Sequence, residues 1–503
     1  MNPNEAPIVW IGLLFSIICL AELSSDVSDL LSSAYHGNSP GEADRQKRHQ
    51  IELCREMIAQ CLFLGEYTKS GPYVLETVIH VVNLEFLIRI DADKDIWFLL
   101  AMAVYIAMRM GYHRDPSHFP DISPKQGEIR RRQWATILQG DVLISSQMGM
   151  PRMISTWQCD TKEPRNLNDD DLDGLDDAVA EMPPSRPETQ LTTSLAVIAR
   201  RRMVMALGAV EDLTAAVRPS SYAEVMRVDG LLHAALSSVP PPYQSTSASV
   251  TDSPQIIITR LFLNHMFYKG QIMLHRKFLC LAPVTQTETG ADTISYGYSR
   301  KTCLDASLGT LHIQHVLDEE TRPGGQLQMV RYRVTSIMNH SFLTATMVLC
   351  SFLYRNRLEK QALLQDGEQE KIMAALRRAR VIWMRASTHS REAKKAAEAV
   401  SLVLARTSPG EDADSWKTKD LVNDVEGAAK PGQSAWPSQP SASSDTTHDG
   451  SMGGLYEPEG FNMPNFLGAF MPPVDHFNMT ERGSVGLEEW MVMNGPSLGT
   501  DWS

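Results

Sequence analysis

From Ile51 to Arg406 apolar side chains return at every third or fourth position, and stretches that alternate apolar with polar residues are hard to find. An α-helix repeats its faces about every 3.6 residues and a strand about every two, so this spacing predicts an all-α protein. Asp95 stands where a cap belongs, Ile96, Leu99, Leu100, Ala103, Val104, Ala107 and Met110 form one stripe, and Gly111 supplies the stop. Comparable helices fit Glu52 to Leu64, Gly71 to Ile88, Lys125 to Ser146, Ser194 to Val217, Pro254 to Cys280, Ser299 to Leu317, Gln328 to Arg355 and Gln369 to Arg406. Loops are marked at His113 to Pro124, Asp160 to Pro187, Ser238 to Ser253 and Ala282 to Gly297, and no internal repeat is evident.

The pattern stops near Ser408. The last 95 residues hold 9 Pro, 12 Gly, 15 acidic and 4 basic side chains, a net of −11, whereas the remainder of the 503-residue chain is nearly neutral at −2. Such a composition buries too little apolar surface to fold, so two parts are expected: a folded body over residues 1–407 and a disordered acidic tail over 408–503. Nine aromatics punctuate the tail, and Leu487, Trp490 and Met491 fall at helical spacing beside Glu488 and Glu489. That pattern suits a short segment that becomes helical on a partner's hydrophobic groove.

The overall net charge of −13 does not suit a protein that coats nucleic acid. Seven cysteines, an odd number spread from Cys19 to Cys350, argue against a disulfide framework and for a reducing compartment. The longest apolar runs are Ile8 to Ala21, Ile96 to Met108 and Phe342 to Tyr354, each short of the roughly 18 to 20 residues that span a bilayer, so no membrane partner is expected. The first run lacks the positive leader of a signal peptide and reads as a buried helix.

Few motifs carry chemistry. Asp169, Asp171, Asp173 and Gly174 open like a calcium loop, but Ala180 stands where the bidentate Glu is needed. Asp169, Asp170 and Asp173 also spell the Asp-Asp-x-x-Asp by which helical prenyl-diphosphate enzymes of the terpene synthase type hold Mg²⁺ on a leaving group. Here they sit in a Pro-, Asn- and Gly-rich loop, and the downstream stretch Asn423-Asp424-Val425-Glu426 does not complete a second metal motif. That enzyme stays as the alternative to the reading below. No Cys-x-x-Cys occurs, and Cys54 and Cys61 alone cannot build a zinc site, so no metal ligand, cofactor or catalytic residue is assigned. The basic clusters Arg130 to Arg132, Arg200 to Arg202 and Lys371 to Arg406 interleave with apolar residues and read as solvated helix faces, the third being the best candidate for an import signal or partner surface.

Several tracts follow one another in an order that resembles a known family. They are Met108 to Pro116, containing Gly111, His113, Arg114, Asp115 and Pro116; Arg131 with Trp134; and Gln147 to Arg152, ending in Pro151 and Arg152. Cys159 with Asp160, then Pro164, Arg165 and Asn166, and finally Pro184, Arg186 and Pro187 complete the set. Together they resemble the middle homology, or regulatory, domain of fungal-specific transcription factors of the Zn₂Cys₆ class. The resemblance runs from about residue 8 to 406. It implies an all-α regulatory domain, a non-enzymatic role in RNA polymerase II transcription and a nuclear location; the tail pattern, read separately, makes Leu487, Trp490 and Met491 the expected activation segment. The partners it implies are transcriptional coactivators or a DNA-binding partner, with a homodimer also open. The family's six-cysteine zinc cluster is not in this sequence, so no DNA-binding residue is assigned. Either the sequence is truncated upstream and DNA and zinc are met there, or the protein reaches DNA through a partner. The motif residues themselves are expected to be structural: Gly111 as a helix stop, His113, Arg114 and Asp115 as turn hydrogen-bonders, and Pro116 as a block to the helix.

Overall fold

Capping residues and glycines decide where the helices begin and end. The computed structural model describes residues 6–24, 40–173, 175, 182–244, 252–279, 296–358 and 367–407. These contain helices α1 (Ile8–Ser24), α2 (Pro40–Leu64), α3 (Val74–Ile88), α4 (Lys94–Arg109), α5 (Pro124–Met148) and α6 (Leu195–Thr214). Then come α7 (Tyr222–Ser237), α8 (Pro254–His275), α9 (Gly297–Glu320), α10 (Ser336–Leu358), α11 (Glu368–Ala386) and α12 (Arg391–Thr407). Among the described residues there is no strand, so the protein is all-α. The tail from 408 onward, with Leu487, Trp490 and Met491, lies outside the described residues.

The stripe on α4 packs as the spacing requires: Ile96, Leu99, Leu100, Ala103, Val104 and Ala107 are all buried. Its cap is Asp93 rather than Asp95; the Asp93 carboxylate accepts from the Asp95 amide at 3.0 Å, leaving Asp95 in the first turn where its charge favours the helix dipole. Gly111 follows with φ +79°, the left-handed conformation that ends a helix without a Cβ clash. On α5, Ser123 caps, Pro124 takes the first helical position, and Gly149 at φ +65° closes the other end.

Helices pack mainly on their neighbours in the chain. α1 lies along α2 and α3; α3, α4, α5 and α6 follow in series; α6 meets α7 and α8; α8 meets α9; and α9 meets α10 and α11. The array closes because the 3₁₀ turn Gln328–Arg333 touches both α1 and α8, and α10 touches α5. α1 is buried along one face only. Val9, Gly12, Ser16 and Cys19 face the core, while Leu14, Ile17 and Ile18 are exposed. A Cβ at Gly12 would lie 2.8 Å from the Cys61 Cβ, so glycine is what lets α1 approach α2.

Two readings of single long helices are corrected. Gln328 to Arg355 divides, because Val330 leaves helical geometry and α10 starts only at Ser336. Gln369 to Arg406 divides at Ser387 to Ser390, where the Ser390 hydroxyl accepts from the Ala393 amide at 2.9 Å and donates to Asp91 at 2.5 Å. One helix, α10, is long and apolar enough over Ser336–Asn356 to cross a membrane, although the sequence runs counted alone fell short. Two-thirds of that stretch is buried inside the protein, as a core helix requires.

Candidate functional site

The motif tracts converge on one ionic belt that ties the loops after α4 and α5 to the sides of α5 and α6. Asp115, with a fully buried side chain, accepts from Arg131 Nη2 at 2.8 Å and Nε at 3.0 Å, from the Ser117 hydroxyl at 2.6 Å and from the Lys162 amide at 2.9 Å. Burial alone would raise its pKa, but Arg131 and these hydrogen bonds outweigh that and hold the carboxyl far below the usual range. Asp160 binds the same turn from outside, accepting from the Asp115 amide at 2.7 Å and from Arg114 at 3.1 Å. The Asp160 amide in turn donates to the His113 carbonyl at 3.1 Å. The His113 ring does not bond backbone; it sits against Trp134, a buried ring with its centroid 6.4 Å away.

Further along, the Arg165 amide donates to buried Glu128 at 2.9 Å, and Pro164 is buried beside it. The Asn166 side-chain amide donates to the carbonyls of Arg186, Pro187 and Gln190 at 3.2, 2.9 and 3.3 Å, which folds the exposed Pro184 to Pro187 stretch back on the loop. Arg152, following exposed Pro151, forks onto Asp212 of α6 and crosses Gly208, where a Cβ would lie 2.8 Å from its Nη1. The Cys159 thiol donates to the Ser155 carbonyl at 3.6 Å, and burial pushes its pKa up to about 11.

Two of the three basic clusters are therefore not solvated faces. Arg131 and Arg132 are mostly buried and paired, Arg132 with Glu128 at 3.4 Å and Asp169 at 2.6 Å. Arg201 donates to the Thr161 carbonyl at 2.7 Å, and Arg202 forks onto Glu163 and Glu188. The third cluster does expose Arg377, Arg378, Lys394 and Lys395. The aspartate stretch is also redirected. Asp170–Asp173 forms one helical turn rather than open loop; Asp169 accepts from Arg132 and Thr193, and Asp171 from Arg186 at 2.6 Å. Of the three carboxylates that the Mg²⁺ reading required, Asp169 is held by Arg132 while Asp170 and Asp173 are exposed, and none of the three lines the cavity described next.

That cavity, of about 380 Å³, lies between α1, α3, α4, α5, α6, α8 and α10. Its walls are mainly apolar, with Leu100, Ile144, Phe262 and Ile337 beside the uncharged Asn83, Thr136, Gln139, Thr259 and Thr335, and among the described residues its charged lining groups are Arg200 and Arg333. Arg200 is half-buried and Arg333 exposed, which puts Arg333 at the mouth. Burial first, and then the proximity of Arg333, lower the pKa of Arg200. The sequence reading missed this pair. Arg200 was hidden in an arginine triplet, although its position three before Met203 sets it beside the buried stripe of α6, and Arg333 marks the break ahead of α10.

Elsewhere, His275 Nδ1 lies 2.9 Å from the Ser299 hydroxyl while its Nε2 lies 3.3 Å from Asp229. The order matches a hydrolytic triad, but Ser299 and His275 have no exposed surface, and Tyr222 engages the Ser299 hydroxyl at 3.0 Å. No substrate can reach the hydroxyl. Among the described residues no group of three or more His, Cys, Asp or Glu could hold a metal. Burial pushes Cys19 up to about 11 and Cys303 and Cys350 up to about 12, the behaviour of thiols packed in an apolar core.

A model described as the fungal specific transcription factor domain matches residues 3–246. The fusarisetin A cluster transcription factor of Fusarium sp. (strain FN080326) is 39% identical over 94% of this chain and 59% of its own length. A Zn(2)-C6 fungal-type transcription factor of Macrophomina phaseolina (strain MS6) is 40% identical over 81% of this chain and 53% of its own. A transcription factor of Chaetomium globosum is 34% identical over 79% of this chain and 67% of its own. The chain thus spans between half and two-thirds of the length of these relatives, and no solved structure matches it.

Proposed function

Because the chain belongs to the fungal specific transcription factor domain family, we propose that it is the regulatory body of a transcription regulator acting on RNA polymerase II in the nucleus, without catalytic activity. The observation that carries this reading is identity of 39% across 94% of the chain to a relative named as a transcription factor. That relative is named for a cluster, and by analogy the targets of this chain are a limited set of genes grouped in one cluster. DNA is reached through a zinc cluster outside this sequence or through a DNA-binding partner, since among the described residues no group of three or more His, Cys, Asp or Glu could hold a metal. The motif residues, Asp115, Arg131 and Asn166 foremost, act as structural staples between loops and helices rather than as a ligand site. Residues 408–503 recruit coactivators, with Leu487, Trp490 and Met491 docking as a short helix, because acidic neighbours keep such apolar groups in water until a groove captures them.

The whole chain, tethered to an unrelated DNA-binding domain, is expected to change reporter output, and replacing Leu487, Trp490 and Met491 by Ala is expected to remove most of the gain. Output equal to that of the empty domain would overturn the regulatory reading. Output that survives the triple replacement would overturn only the assignment of that segment.

A further inference from the structure

Arginines of the body are generally balanced: Arg131, Arg132, Arg152, Arg186 and Arg202 each reach a carboxylate. Arg200 and Arg333 are different. The Nε of Arg200 donates to the Ala196 carbonyl of its own helix at 3.1 Å, and its charged neighbour is a second cation, Arg333, rather than an acid. Arg333 lies 5.9 Å from the ring of Tyr332, and among the described residues it makes no ion pair and no Asp or Glu lines the cavity that both side chains border. Two guanidinium groups that border one cavity repel each other, and leaving the half-buried Arg200 without a counter-ion at reduced solvation is costly.

We propose that the cavity between α1, α3, α4, α5, α6, α8 and α10 binds a small amphipathic anion, an apolar body carrying a single carboxylate-like head. The guanidinium groups of Arg200 and Arg333 hold the head, since a planar fork suits an anionic oxygen pair. The apolar walls hold the body, and Asn83 and Thr136, exposed at the rim, leave the entrance wet. At about 380 Å³ the space falls at the small end of ligand pockets, too little for a folded segment of another protein. The ligand would touch both the early helices and the turn that closes the array, so binding would brace the closure. This inference stands apart from the transcriptional reading, because it is measured on the purified chain.

The test is fluorescence titration of the full chain with 1-anilinonaphthalene-8-sulfonate, against N-phenyl-1-naphthylamine, the same aromatic body without the anionic head. The sulfonate is expected to saturate one site and to bind at least about tenfold more tightly than the amine, the difference that charge-assisted hydrogen bonds supply. Arg200→Gln with Arg333→Gln should bring the sulfonate down to the level of the amine while leaving the amine unchanged. Arg333→Gln alone, at the exposed mouth and harmless to folding, should weaken the sulfonate about threefold if it carries part of a charge-assisted contact. Thr136→Trp, a substitution at an exposed rim position, should weaken both probes. Equal affinity for the two probes, sulfonate binding unchanged in Arg333→Gln, or both probes unaffected by Thr136→Trp would overturn the proposal.

Discussion

Replacing Asp115 by Asn keeps the shape of the side chain and removes its charge. In the native belt that carboxylate accepts two hydrogen bonds from Arg131, two from Ser117 and one from Lys162. An amide has one acceptor oxygen, so its NH₂ would be turned against a donor on one side. Arg131 would also remain, 15% exposed, with Glu128 at 3.8 Å as its remaining carboxylate. Removing one partner of a buried pair costs about 3–5 kcal/mol, and Glu128 offsets part of that, so about 3 kcal/mol is expected. The assay is urea unfolding followed by far-UV circular dichroism for the native chain, Asp115→Asn, Arg131→Gln and the double variant. The pair should show a coupling energy of about 2 kcal/mol or more, the double variant losing less than the two singles together. The sign with pH is fixed as well. The folded pKa of Asp115 is depressed, so its contribution is complete above the ordinary carboxylate value of about 4 and fades as pH falls below it. A single-variant cost under about 0.5 kcal/mol at pH 7, typical of an unremarkable surface site, would refute the reasoning.

Two further outcomes follow from buried groups. His265 has no exposed surface, lies against Phe262 and Phe342, and neither ring nitrogen has a partner; burial first, then Lys269, pushes its pKa down to about 3. The folded state thus binds a proton more weakly than the unfolded one, and stability should fall as pH drops below about 6.5, by about 2 kcal/mol at pH 5 from this residue alone. His265→Phe should flatten that slope in denaturation curves, and an unchanged slope would contradict the assignment. Ser299, sealed beneath Tyr222 and His275, should resist a fluorophosphonate probe in the native chain, as checked by mass spectrometry, and labelling at Ser299 would show the triad-like geometry to be accessible.

Most helices were legible in the sequence because one buried face at three-and-four spacing is a local property, as α4 illustrates. Helix ends were legible where glycine or proline acts locally, at Gly111, Pro124 and Gly149. The break ahead of Ser336 was not, because apolar spacing continues across it, and the break at Ser387 to Ser390 was not, because a distant residue, Asp91, supplies its cap. α7 was overlooked although its capping box is written in the chain, Ser221 and Glu224 exchanging bonds at 3.2 and 2.9 Å. The belt was visible as a set of motif residues but not as pairs, since Asp115 and Lys162 are joined across the fold rather than along it. The cavity was not legible at all. It is space left by seven helices, and only the folded array reveals that two arginines border it.

The central claim is that this chain regulates transcription, and transcript profiling after removal of the gene tests it most directly. The account predicts that a limited, grouped set of transcripts shifts by several-fold, and that the full chain restores them. A transcript profile unchanged apart from the removed gene, under conditions in which the protein is present, would contradict it.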